Sequence, residues 1–199
     1  MPRRRESYHH GDLRRALIDA ALALIARQGG TGEVTLRAAA RRAGVSHNAP
    51  YRHFADKGAL LAAVAVEGFA ELSRVLATAR EGVDDPEQRF VATGLAYLRF
   101  VHERRSHIAV MFGTEIAKSR TPELQQAAND TFQVIKELAH DAGVTNVATA
   151  RRLGIEVWAF VHGLGTLTRD GQVPASVWAS PEQLAASGLR HLFRAFSQR

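Results

Sequence analysis

Cysteine is absent from the 199 residues. Without it there is no disulfide framework, no thiolate zinc site and no thiol nucleophile, so a small stapled secreted domain is excluded. Long apolar runs are also missing. One candidate, Gly58 to Val66, stops at Glu67, well short of the ~20 residues that a membrane helix needs. The basic N-terminus is followed by Glu6-Ser7-Tyr8-His9-His10-Gly11-Asp12, where a signal peptide requires an apolar stretch. The expectation is a cytoplasmic protein with no membrane partner. Proline occurs only 6 times, mostly where a helix can begin, and alternating strand patterns are scarce. Apolar residues instead recur at helical spacing almost throughout, which predicts an all-α fold.

Charge of one sign is what the sequence has in excess, and the excess is localised. Of 26 basic and 20 acidic residues, eleven and five respectively lie in residues 1–57, a balance of +6; the fifteen of each sign in residues 58–199 cancel. A basic module followed by a neutral one predicts an anionic partner for the first and a different task for the second. The domain boundary is placed there, at 57/58.

Periodicity and caps predict about nine helices. A basic arm at 1–10 precedes a first helix over 12–28, ended by Gly29-Gly30. A second runs over 36–43 behind the N-cap Thr35 and is closed by Gly44. A third spans 47–53 with Ser46 as its cap, so that Pro50 falls in or beside the first turn. A fourth follows the cap Asp56 to about residue 80 and would join the two modules rigidly. A fifth starts at Asp85-Pro86 and a sixth covers 107–112. The seventh starts at Thr121-Pro122, with Phe132 and Ile135 inward. An eighth runs over 146–168, and a ninth over 181–197 behind Ser180-Pro181-Glu182-Gln183, a cap, a first-turn proline and a capping-box glutamine in sequence.

Two short helices joined by Gly44-Val45-Ser46 have helix-turn-helix arithmetic. Ala39, Ala40 and Ala43 are small enough for close packing, and Val45 and Phe54 can fill the underside. Outward on the third helix stand His47, Asn48, Tyr51 and Arg52, with His53 at its end. All can hydrogen-bond and none is acidic, whereas a face built only for helix stability would carry Glu and Lys. Thr35-x-Arg37-x-x-Ala40-x-x-Ala43-Gly44-Val45-Ser46, then Tyr51-Arg52-His53-Phe54, Asp56-Lys57 and Ala59-Leu60-Leu61, resembles the DNA-binding domain of the tetracycline-repressor-like (TetR) bacterial regulators. Ala39 and Pro50 depart from the Ile or Val and the Leu that are frequent there. Trp158-x-x-x-His162-Gly163 resembles a segment of one branch of that family, the WHG type.

The resemblance implies that His47, Asn48 and Ala49 face base edges, that Arg37 reaches a base, and that Thr35, Tyr51, His53 and Lys57 hold phosphates, with Ser46 opening the reading helix. Lys57 also starts a helix, whose free amides attract phosphate. Arg3, Arg4 and Arg5 are candidates for the backbone or a minor groove, and a merely solvated tail is the alternative. In the second module Tyr97, Phe100, Met111, Phe112, Phe132, Trp158 and His162 form the pool for an effector pocket, each of them also a candidate for plain core. Gly163, Leu164, Leu167, Leu189, Leu192, Phe193 and Phe196 are the candidates for a dimer contact, or in a monomer for core. The nine histidines show no metal-ligand spacing, and Gly163-Leu164-Gly165 lacks the strand and Lys-Ser/Thr of a phosphate loop; no metal and no cofactor are expected. The expected function is a ligand-responsive homodimeric regulator, a repressor by preference, with double-stranded DNA operator, small-molecule effector and its own second copy as partners. An activator and a non-specific architectural protein are the alternatives. No acid–base pair or nucleophile motif supports an enzyme.

Overall fold

The computed structural model describes residues 10–115, 121–174 and 180–197, and the arm residues Arg3, Arg4 and Arg5 lie outside them. The described residues are helical or irregular, with no strand. The α-helices are α1 (His10–Gln28), α2 (Leu36–Arg42), α3 (Lys57–Thr78), α4 (Pro86–Glu103), α5 (Arg105–Met111), α6 (Pro122–Asp141), α7 (Val147–Arg169) and α8 (Pro181–Ser197). One 3₁₀ turn, η1 (Ala49–Arg52), lies between α2 and α3.

The helix starts follow local chemistry. Thr35, Asp85, Asn146 and Ser180 each stand just before a helix and accept, through the side chain, the backbone N–H three residues on, from Ala38, Gln88, Thr149 and Gln183. Each satisfies an amide that has no intrahelical partner. The third helix departs from expectation. It is a single 3₁₀ turn rather than an α-helix over 47–53, and Ser46 contributes its carbonyl, not its hydroxyl, to the Ala49 N–H. Asn48 is the cap residue and makes no side-chain cap bond. Pro50 contributes to the difference: it has no N–H to donate back to Ser46, and the Ala49 and His53 N–H groups bond the carbonyls three residues back, of Ser46 and Pro50.

Two compact units emerge. One comprises residues 1–68 and 106–124, the other residues 69–105 and 125–199. The packing boundary thus falls inside α3, at Gly68, while the charge boundary lies after Lys57. In the first unit α1 packs on α2 and α2 on η1, around buried Leu17, Ile18, Ile25, Val34, Leu36 and Phe54. α5 belongs to this unit and lies against α3 at Gly68, where a Cβ would sit 2.6 Å from Met111 Sδ and 3.2 Å from His107 Cδ2.

In the second unit α4, α7 and α8 pack on one another. Glycine permits two close approaches. Gly94 of α4 receives the Leu189 side chain of α8, and Gly188 of α8 receives the Phe160 ring of α7; a Cβ at either would overlap its neighbour. Phe90 meets Phe193 edge-on at 5.4 Å. Asp141, its side chain 3% exposed, binds Arg80 at 2.6 Å and Arg89 at 3.0 Å, which fastens the chain after α3 to α4 and α6. Thr131 occupies the inner side of α6, 2.8 Å from Ser73 Oγ.

Candidate functional site

The turn into the reading face is set by Gly44. Its φ of +71° is left-handed, a region that any residue with a Cβ occupies at a cost. The Val45 N–H then bonds the Ala40 carbonyl at 3.0 Å and the Gly44 N–H the Arg41 carbonyl at 3.3 Å. This paired closure satisfies the last carbonyls of α2 and aims the chain into η1. Leu36, Ala38, Ala39 and Ala40 are buried beneath it, so small side chains let α2 settle on α1.

Burial sorts the residues of η1. Pro50 and Phe54 point inward, Phe54 with the Arg14 guanidinium 5.6 Å above its ring. Ser46, His47, Asn48, Tyr51 and Arg52 are exposed, Tyr51 at 51%. Thr35 and Arg37 are exposed, and Ala49, His53 and Lys57 partly so. The structure therefore brings the nine expected contacts Thr35, Arg37, Ser46, His47, Asn48, Ala49, Tyr51, His53 and Lys57 into one unit; all have some solvent access, but the Nε2 of His53 is buried. Lys57 opens α3 next to the cap Asp56, whose carboxylate takes the Ala59 N–H at 2.8 Å. Its Nζ is 3.0 Å from Glu115 Oε1, an ion pair that sequence spacing of 58 residues does not reveal. Arg41 and Arg42, in the last turn of α2, add exposed positive charge; nothing in the sequence separates them from solvated helix ends.

The family profile described as "Bacterial regulatory proteins, tetR family" matches residues 17–64, and that described as "Tetracyclin repressor-like, C-terminal domain" matches residues 90–192. The chain belongs to the TetR family. It is a TetR-family transcriptional regulator with a helix-turn-helix DNA-binding domain. Among solved structures, it is similar to a protein of unknown function from Rhodococcus sp. RHA1, with 30% identity over 97% of this chain and 100% of that one and a TM-score of 0.81. A TetR-family transcriptional regulator from Bordetella parapertussis 12822 shares the fold at 19% identity and a TM-score of 0.68, over 92% of this chain and 95% of that one. The fatty acid degradation regulator FadR from Bacillus halodurans does so at 16% and 0.69, over 93% and 96%. No curated protein matches the chain in sequence.

In the second unit of this TetR-family chain, three of the expected pocket residues meet. Trp158 Nε1–H donates to the Tyr97 hydroxyl at 3.0 Å, and that hydroxyl lies 3.0 Å from His162 Nδ1. An indole N–H can only donate, so the phenol accepts from it; the phenol donates to His162 Nδ1 when the imidazole proton is on Nε2 and accepts from it when the proton is on Nδ1. Burial raises the Tyr97 pKa far above its ordinary value, against the smaller opposing effect of the Trp158 bond. Burial, and then the charge of Arg169, lower that of His162. Phe100 is buried alongside in α4. The rest of the pool is not gathered with them. Met111 and Phe112 belong to the first unit. Phe132 is 49% exposed, which corrects its inward assignment: Thr131, through bonds to the Phe69 and Ala127 carbonyls, takes the inner position. A groove of about 620 Å³ lined by Val83, Gln88, Val91, Ala92, Leu95 and Arg190, among others, contains none of the pool.

The dimer candidates also divide. Leu189, Phe196 and Leu164 are buried within the protomer at 0%, 4% and 8% exposure, and Phe193 packs on Phe90. The alternative reading, core, holds for Leu164, Leu189 and Phe196. Gly163 is open, with nothing within 4 Å of a built Cβ, and Leu167 is 44% exposed; Leu192 is half-buried. Beside them on α7 are Ile155, 61% exposed, and Ala159, and on neighbouring α8 Leu184, 40% exposed. The spacing 155, 159, 163, 167 is one continuous helical stripe. Sequence reasoning passed over Ile155 because, next to Leu153 and Val157, helical spacing alone does not tell which side of α7 is buried. Among the described residues no group of three His, Asp or Glu has metal-binding geometry, and no helix is long and apolar enough to cross a membrane.

Proposed function

We propose that this regulator is a homodimeric repressor that leaves an inverted-repeat operator when a small molecule binds. The observation that carries the DNA half is the exposed, acid-free face from Ser46 to Arg52 behind the Gly44 turn. His47, Asn48 and Ala49 are assigned to base edges, Arg37 to a guanine, and Thr35, Tyr51, His53 and Lys57 to phosphates. The DNA-binding role is assigned to residues 1–57 and the effector and dimer roles to 58–199. Two heads would meet successive major grooves about 34–36 Å apart. The apolar stripe of Ile155, Ala159, Gly163 and Leu167 with Leu184 supports pairing of α7 and α8 with a second copy. The Tyr97–Trp158–His162 cluster, polar atoms set among buried apolar neighbours, supports effector binding in the second unit. α3, whose first residues belong to one unit and last to the other, is the proposed lever. The effector acts by favouring a head spacing unsuited to the operator. The protein is assigned no catalytic step.

A footprint over the DNA upstream of the protein's own gene, with and without cell extract, tests this reading. A protected inverted repeat that is lost on adding extract supports it. Uniform protection of any duplex favours an architectural role, and protection that leads to increased transcription favours an activator. Asn48→Ala or Arg37→Ala is expected to shift base preference by about 1–3 kcal/mol at one position.

A further inference from the structure

We propose that Glu115 sets how tightly the head holds a DNA backbone, by competing with phosphate for Lys57. The inference rests on Lys57 being a phosphate contact. Lys57 Nζ is 3.0 Å from Glu115 Oε1, and both residues belong to the first compact unit. Glu115 is an anion already in contact with the ammonium that a phosphate would need. A second carboxylate, Asp56, is already committed there as the cap of α3. With Glu115 in place the lysine charge is spent inside the protein, and an incoming phosphate has to displace a carboxylate to reach the ammonium. With Glu115 withdrawn, the ammonium and the amide dipoles at the start of α3 are both left to attract the anion.

The contact is built to break. The two side chains are 31% and 44% exposed, and a pair so open to water is held by a small free energy. Glu115 is also positioned by a particular element. α5 seats on α3 where Gly68 makes room for Met111 and His107, and Glu115 follows four residues after Met111, at the end of the described segment. Any shift of α5 along α3 moves the carboxylate relative to the ammonium. Glu115 is thus a positioning residue for the backbone contact, acting through Lys57 and touching no base.

Binding of the full chain to a short random-sequence duplex, measured across a range of salt, tests this. Glu115→Gln is expected to tighten binding roughly two- to fivefold and to steepen the slope of log K against log salt by about one, because Lys57 now releases a counterion from the DNA. Lys57→Ala is expected to weaken binding, and the double variant to bind like Lys57→Ala alone. An unchanged affinity in Glu115→Gln overturns the proposal. So does a gain that persists in the Lys57→Ala background, since a mere change of net charge would produce it. If Lys57→Ala binds like the parent, both Lys57 as a contact and Glu115 as its competitor fall. If the parent binds no duplex, the reading of the head itself is at fault. Matching far-UV circular dichroism confirms that both exposed substitutions leave the fold intact.

Discussion

The Tyr97 hydroxyl bridges the Trp158 N–H and His162 Nδ1, so one side chain serves two polar neighbours. Replacing Tyr97 by Phe removes the oxygen that the Trp158 N–H and His162 Nδ1 share, at half-buried positions where water replaces it only in part. The expected cost is about 1–3 kcal/mol in denaturant unfolding, with the far-UV spectrum unchanged. The lowered His162 pKa has a definite sign. The folded chain binds this proton less readily than the unfolded one, so the neutral ring stabilises the fold fully above pH 6.5, the ordinary value. That contribution is lost as pH falls through the lowered folded-state value. Stability measured between about pH 7 and 5 should therefore decline on acidification, and His162→Gln should flatten the decline; equal slopes in the two proteins would contradict it. Trp158 and His162 were legible as a pair from their spacing of four. Tyr97, 65 residues from His162, was legible only as one aromatic in a pool. The Lys57–Glu115 pair was not legible at all, because nothing local links its members.

At the scale of elements, the readable features are those whose cause is local. Caps and first-turn prolines act within four residues, so α2, α4, α7 and α8 begin where Thr35, Asp85, Asn146 and Ser180 say they should. η1 was misread because helical spacing alone does not register the bond that Pro50 cannot make. Phe132 was misread because apolar spacing on α6 fits two faces, and the choice is made by Thr131 bonding to the Phe69 carbonyl of another segment. Close helix approach is similarly non-local. Gly94 is one small residue in a helix until Leu189 is seen to occupy its vacant side. Gly94→Ala is expected to destabilise by about 1–3 kcal/mol through overpacking, although alanine is the better helix former by about 1 kcal/mol. Chemical denaturation of this variant beside Gly163→Ala separates the two effects, since nothing in the protomer opposes a methyl group at Gly163.

For the whole molecule, the partition of charge and the partition of packing are different maps. The basic excess ends at Lys57, while the first compact unit takes in residues to 68 and also 106–124. A sequence read from end to end finds the first boundary and misses the second, because α5 joins its unit through space. The dimer proposal belongs at this scale. Ile155→Asp, at 61% exposure, should leave the protomer fold intact and abolish pairing, with the sedimenting mass halved and affinity for a full inverted repeat reduced far more than for a random duplex. A variant that remains paired would move the interface off α7.

The apolar stripe on α7 and α8 makes dilution a thermodynamic variable. If its cover is a second copy, part of the free energy that holds this chain folded is free energy of encounter, present only while a neighbour is within reach. No single melting temperature then describes the protein: the midpoint climbs with concentration, as mass action requires. A sparse cellular pool of it would be softer, and more open to proteolysis, than the same chain in a concentrated tube.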